Sequence, residues 1–132
     1  MGKDRGYDLE ERTACFGEAV VAFARKQPLD SVTEPLVKQL VRAATSVGAN
    51  YCEADDAGSK KEFRYRISIC KRESRETKHW LRMIAAAIPE KKDDLRQLWQ
   101  EAKELNLIFG AIYRAKRKKP DNNEECRNQN EE

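Results

Sequence analysis

The fold class predicted for this 132-residue chain is all-α: an antiparallel up-down-up-down four-helix bundle followed by a disordered acidic C-terminal tail. Three observations predict it. Apolar residues recur at helical spacings of three and four in four long segments. Pro28, the pair Ala57-Gly58, Pro89 and Pro120 fall between or after those segments. Charged residues make up 37% of the chain and the mean hydropathy is −0.88, as expected of helices with thin apolar stripes and wide solvated faces. Six Gly and four Pro are too few for a turn-rich β-sandwich or barrel. The length is that of one domain, placed over residues 7–119, with residues 1–6 as a disordered N-terminus and residues 120–132 as the tail.

The first helix runs from about Asp8 to Lys26. Leu9, Thr13, Phe16, Val20 and Phe23 form one face, and Asp8 stands at N-cap distance from Glu11. Pro28 ends it. Ser31 or Thr33 is expected to cap the second helix, and Ser31-x-x-Glu34 has capping-box spacing. That helix extends to about Asp56 with Leu36, Leu40, Ala44, Val47 and Tyr51 as its stripe, widened by Val37 and Val41. Gly48 lies inside it at a cost of about 1 kcal/mol against Ala, so a neighbouring helix is expected to pass close by. Ala57-Gly58 stops the helix, and Ser59-x-x-Glu62 opens the third.

The third helix spans about Lys60 to Ala87. Its inner face runs through Phe63, Ile67, Cys70, Ser74, Thr77, Trp80, Leu81, Ile84 and Ile88. Pro89 breaks it and starts the fourth, where Glu90, Asp93 and Asp94 suit the positive end of the dipole. Leu95, Leu98, Trp99, Ala102, Leu105, Ile108, Phe109 and Ile112 form the last stripe. From Pro120 onward there is little to bury. Val21, Val32, Ile69 and Leu107 fall outside the stripes, are expected to be exposed on a monomer, and point to self-association.

Several function classes drop out. No apolar run reaches the roughly 18–20 residues of a membrane span, and Met1 to Gly6 contains no apolar core of a secretory signal. The chain is expected to be cytoplasmic, without a membrane partner. Cys15, Cys52, Cys70 and Cys126 form no C-x-x-C pair, and His79 is the single histidine, so no metal site is expected. The first three thiols are expected in or near the core and Cys126 in the tail. No cofactor and no small-molecule substrate is implied.

Charge is unevenly distributed. Residues 58–82 carry a net +6 and Arg114 to Lys119 a net +5, against an overall +3. Antiparallel packing is expected to bring the end of the fourth helix near the start of the third. One basic patch would then collect Lys60, Lys61, Arg64, Arg66, Arg114, Lys116, Arg117, Lys118 and Lys119, with Tyr65 and Tyr113 available to stack on bases. These residues are the candidate nucleic-acid contacts. The plainer reading is a solvated face plus a helix C-terminus whose cations suit the dipole.

Arg42, Ser46, Asn50 and Glu53 make a polar stripe on the second helix, and Ser59, Glu73 and Glu76 answer from the third. A buried or half-buried network of this kind fixes helix register. A general acid–base role for Glu73 and Glu76 is the alternative. It lacks a nucleophile–base–orienter set, and the lone Glu76–His79 pair is not the doubled motif of a di-metal bundle. No catalytic residue is assigned, and the expectation is a non-enzyme.

Tyr7-Asp8-Leu9-Glu10-Glu11-Arg12-Thr13 with Phe16 resembles the opening of the bacterial four-helix-bundle proteins encoded in intervening sequences of large-subunit ribosomal RNA genes. Gln39 to Asn50 with Glu53-Ala54 resembles that family's second-helix motif, and Ser59 to Phe63 with Arg72 to Leu81 its third. Glu101 to Leu105 with Ile108 resembles its fourth helix, so that the likeness spans residues 7–115. Arg72, His79 and Cys52 depart from the usual Lys, Tyr and aliphatic residue. The resemblance implies a bundle assembling into a ring, with a homopentamer favoured. It extends in fold to the accessory protein of diversity-generating retroelements, which binds nucleic acid and a reverse transcriptase through basic surface. The expected function is therefore an oligomeric binding protein that contacts RNA or a nucleoprotein through the basic surface of its third and fourth helices. The alternative is a structural protein–protein interaction module.

Overall fold

The computed structural model describes residues 8–117, with side chains through Ala115. The expected disordered N-terminus and acidic tail, with Cys126, lie outside the described residues. Four α-helices follow in order: α1 (Leu9–Arg25), α2 (Thr33–Asp55), α3 (Lys60–Ala87) and α4 (Lys92–Arg117), with a 3-10 turn at Pro89–Lys91 before α4. Among the described residues there is no strand. None of these helices is long and apolar enough to cross a membrane.

The ends of the helices follow local chemistry. Asp8 Oδ1 accepts from Glu11 N at 3.1 Å and Ser59 Oγ from Glu62 N at 3.0 Å, both as the sequence predicts. The α2 cap differs. Asp30, rather than Ser31 or Thr33, takes the amides of Val32 and Thr33, at 2.9 and 2.7 Å. A carboxylate two residues upstream offers a full negative charge to the helix dipole, which a hydroxyl does not. Those two amide N–H groups hold the Asp30 carboxyl below its ordinary value, Thr33 contributing more. Gly58 has no positive φ, so it is not the left-handed cap that its position after α2 suggests. The end of α2 is instead closed by the Asp56 and Ala57 amides, which donate to the carbonyls of Cys52, Glu53 and Ala54. Ile88, forced out of helical geometry before a proline, sits at φ −133° and ψ 75°.

α3 is the central element, packed against α2 on one flank and α4 on the other, while α1 lies on α2 and meets α4 only lightly. Phe109, Leu40, Ile67, Leu81, Ile84 and Leu105 are fully buried, and the predicted stripes all turn inward. Each such side chain contributes about 1.5–3 kcal/mol by leaving water. Gly48 meets the expectation of close approach. A Cβ placed there would stand 3.2 Å from Thr13 Oγ1 and 3.5 Å from the Thr13 carbonyl carbon.

Two expectations about exposure fail. Ile69 is buried, not exposed. It lies one turn from both Arg66 and Glu73, whose side chains reach α2, so it belongs to the α2-facing flank. Cys15 and Cys52 are exposed, and Cys70 alone of the described thiols is in the core. Burial pushes the Cys70 thiol up to about 12, and its Sγ lies 3.5 Å from the Val47 carbonyl oxygen. Val21, Val32 and Leu107 are exposed as expected, together with Leu29.

Candidate functional site

The polar stripe of α2 does meet α3. Arg42 Nη1 donates to Glu73 Oε1 at 3.3 Å and Nη2 pairs with Glu76, while Nε donates to Gln39 Oε1 at 3.1 Å. Glu76 foremost, then Glu73, holds the guanidinium above its ordinary value. One turn on, Ser46 Oγ donates to the Arg42 carbonyl at 2.7 Å and Asn50 Nδ2 to the Ser46 carbonyl at 2.9 Å. Arg66 Nη1 closes the seam on Asn50 Oδ1 at 3.1 Å. Two of the expected members stand apart: Glu53 is exposed and joins none of these bonds, and Ser59 serves as the α3 cap. The seam is also shallower than a buried network. The side chains of Arg42 and Glu76 are 45% and 42% exposed, and only Glu73, at 12%, is well covered.

The basic residues divide between two flanks of α3. The Arg64 guanidinium lies over the Tyr113 ring of α4, 4.3 Å from its centroid, and Lys71 Nζ is 5.6 Å from the same ring. Lys60, Lys61 and Arg114 are exposed at this end. Arg66 turns the other way, to Asn50 of α2, because two residues on a helix differ by about 200°. It also lies 5.6 Å from the ring of Tyr65, which is 59% exposed. Lys116 and Arg117 continue α4, but their side chains, and Lys118 and Lys119 altogether, lie outside the described residues.

Sequence reasoning missed Lys71 as part of the basic end and missed a second polar seam. Arg12 of α1 grips Glu101 of α4, Nε to Oε2 at 2.7 Å and Nη2 to Oε1 at 2.9 Å, with Glu104 Oε1 at 2.8 Å from Nη2. Glu101 and Glu104 of α4 are thus drawn to α1, and Glu73 and Glu76 of α3 to Arg42 of α2. The surface between α3 and α4 keeps its cations and few acids. Asn106 of α4, also missed, donates to the Lys71 carbonyl at 2.8 Å and approaches Ser74 Oγ at 3.2 Å, fixing α3 against α4 there.

A family model described as 23S rRNA-intervening sequence protein matches residues 9–111. Among solved structures, one similar chain is described as a protein with unknown function from the S23 ribosomal protein family of Bacteroides thetaiotaomicron. It is 23% identical, with a TM-score of 0.71 over 80% of this chain and 97% of that one. At that identity the likeness concerns the fold. No curated protein matches.

Proposed function

This chain belongs to the 23S rRNA-intervening sequence protein family, and on that footing we propose that it is a non-enzymatic, self-associating protein that contacts RNA through the basic surface of α3 and α4. One observation supports it most. Where α3 begins and α4 ends, Arg64 and Lys71 stand over Tyr113 with Lys60, Lys61 and Arg114 exposed nearby, and no ion pair among the described residues neutralises any of the five. Unpaired cations beside an aromatic ring suit a phosphate backbone carrying unstacked bases. The use of Glu73 and Glu76 to hold Arg42 supports a structural role for them rather than proton transfer. Exposed Val21, Leu29, Val32 and Leu107 favour self-association.

The test is titration of a mixed RNA pool at two salt concentrations. Affinity is expected to fall with salt at a slope near −0.7 per phosphate neutralised on single strands. Charge reversal of Lys60, Lys61 and Arg114 should flatten that slope and weaken binding to all sequences alike. Absence of association at the lower salt retires the reading and leaves a protein–protein interaction module as the better account.

A further inference from the structure

The α3–α4 surface continues well beyond the basic end. On α3, Lys60, Arg64, Lys71, Lys78 and Arg82 follow at intervals of four, seven, seven and four, which keeps them on one face. On α4 the mirrored run is Lys92, Arg96, Lys103 and Arg114, with Gly110 at the position between the last two. Contacts place the two runs along one seam. Lys71 Cε lies 3.9 Å and Arg114 Nη1 3.3 Å from where a Cβ of Gly110 would sit. Lys78 and Lys103 put their ammonium groups 5.5 and 5.7 Å from the centroid of Trp99. Beyond Trp99, Arg82, Lys92 and Arg96 border an open groove floored by Leu81, Ala85 and Leu95. Among the described residues only Arg96 of these cations has a carboxylate within ion-pair distance, Asp93 at 4.0 Å.

The seam therefore carries two aromatic stations, Tyr113 and Trp99, each approached by two cations. They stand fourteen residues apart on α4, about 21 Å at 1.5 Å per residue. We infer that the seam is a track for single-stranded RNA, running from Tyr113 to Trp99 with a base stacked at each ring and the phosphates between them held by Lys71, Lys78 and Lys103. The inference rests on the RNA reading above and adds the strand state and the second station. A strand with its bases unstacked advances by more than the ~3.4 Å per phosphate of a duplex strand, so about six nucleotides are enough to cover that distance. Duplex RNA keeps its bases stacked on each other and has none to offer either ring. Lys71, Lys78 and Lys103 are on flexible stems, so a phosphate draws each ammonium aside as a base takes its place. At Tyr113 the Arg64 guanidinium, 4.3 Å from the centroid, must shift as well to free the ring face.

Fluorescence anisotropy with labelled oligo-uridine of three, six and twelve nucleotides, and with a twelve-base-pair RNA duplex, tests this on the full chain. Affinity should rise steeply between three and six nucleotides. Trp99→Leu and Tyr113→Leu should each weaken binding of the twelve-mer by about five- to a hundred-fold, leave its salt slope unchanged, and leave the duplex unaffected. Trp99 is half-buried, so circular dichroism must confirm the helix content of that variant. If it is lost, Lys78→Gln with Lys103→Gln carries the test, expected to lower the salt slope by about 0.7 for each phosphate released. If Trp99→Leu folds and binds within two-fold of the parent while Arg64→Ala with Lys71→Ala weakens binding, the track is overturned and the RNA contact is confined to the Tyr113 end. If the double glutamine variant leaves the slope unchanged, the same conclusion follows. No binding of any RNA at low salt overturns both the track and the reading on which it rests.

Discussion

Arg12 on α1 and Glu101 on α4 form a two-pronged ion pair across the edge of the bundle where the two helices otherwise touch least. Their side chains are 24% and 31% exposed, so the pair is only partly screened. Arg12→Ala strips Glu101 of its partner and should lower stability by about 1–3 kcal/mol in urea denaturation. Arg12→Lys should recover less than half of that, because an ammonium does not present the parallel fork. Equal stability of parent and alanine variant would show that the α1–α4 edge is held by something else.

Two glycines predict opposite signs. At Gly17 an added methyl meets Thr45 Cγ2 at an ordinary 3.7 Å, so Gly17→Ala should stabilise by about 0.5–1 kcal/mol through helix propensity. At Gly48 the methyl meets Thr13, which is buried and pinned by its hydroxyl to the Leu9 carbonyl at 2.7 Å. Gly48→Ala should then destabilise by about 1 kcal/mol, the crowding outweighing the propensity gain. Thermal melts of the two variants side by side decide the matter.

The α2–α3 seam should respond unevenly. Glu76 and Arg42 are both more than one-third exposed, and Glu76→Ala is expected to cost under about 1 kcal/mol. Glu73 is better covered, and Glu73→Ala should cost about 1–2 kcal/mol. A reversed order in chemical denaturation would mean that the seam is covered from the Glu76 side in solution.

Acid should weaken the fold through Asp30 and Glu104. The amides of Thr33 and Val32 lower the first, and Gln100 foremost, then Arg12, lowers the second. A carboxyl with a depressed folded pKa is stabilising above its unfolded value, and that contribution disappears as pH falls through the folded one. Urea midpoints should therefore drop from pH 7 to pH 3. Asp30→Asn, which still caps but does not ionise, should show a shallower drop. Parallel pH curves for the two proteins would remove Asp30 from the account.

Light scattering after size exclusion tests self-association. At about 50 μM, where an interface of ~μM affinity is occupied, the mass should be several times 15.3 kDa, five-fold being favoured. Val21→Asp or Leu107→Asp should reduce it if the exposed residue lies in the contact. A monodisperse monomer at that concentration sinks the expectation.

The helices were legible because burial imposes its period on the sequence. Leu9, Thr13, Phe16, Val20 and Phe23 of α1 are all buried, and Phe109 and Leu105 anchor α4 as their spacing indicates. Caps were legible where one residue competes, as at Asp8 and Ser59. Between Val32 and Thr33 a neighbouring carboxylate outcompeted the hydroxyls, which spacing alone does not rank. Arg12 and Glu101 carry no mutual signal, being 89 positions apart. Nor does a polar stripe on one helix disclose its depth, since the exposure of Arg42 is set by what its neighbours leave uncovered. The candidate contacts were legible as charge; their division between the two flanks of α3 emerged only from where Arg64 and Arg66 point.

The central position of α3 also ranks the helices by how they come apart. Its amides sit behind α2 and α4 along both flanks, whereas α1 rests on α2 and is tethered to α4 by Arg12. Native-state hydrogen exchange should therefore proceed in layers. α1 can peel away and let in deuterium while α2, α3 and α4 remain paired, and the α3 protons exchange only when the whole chain opens.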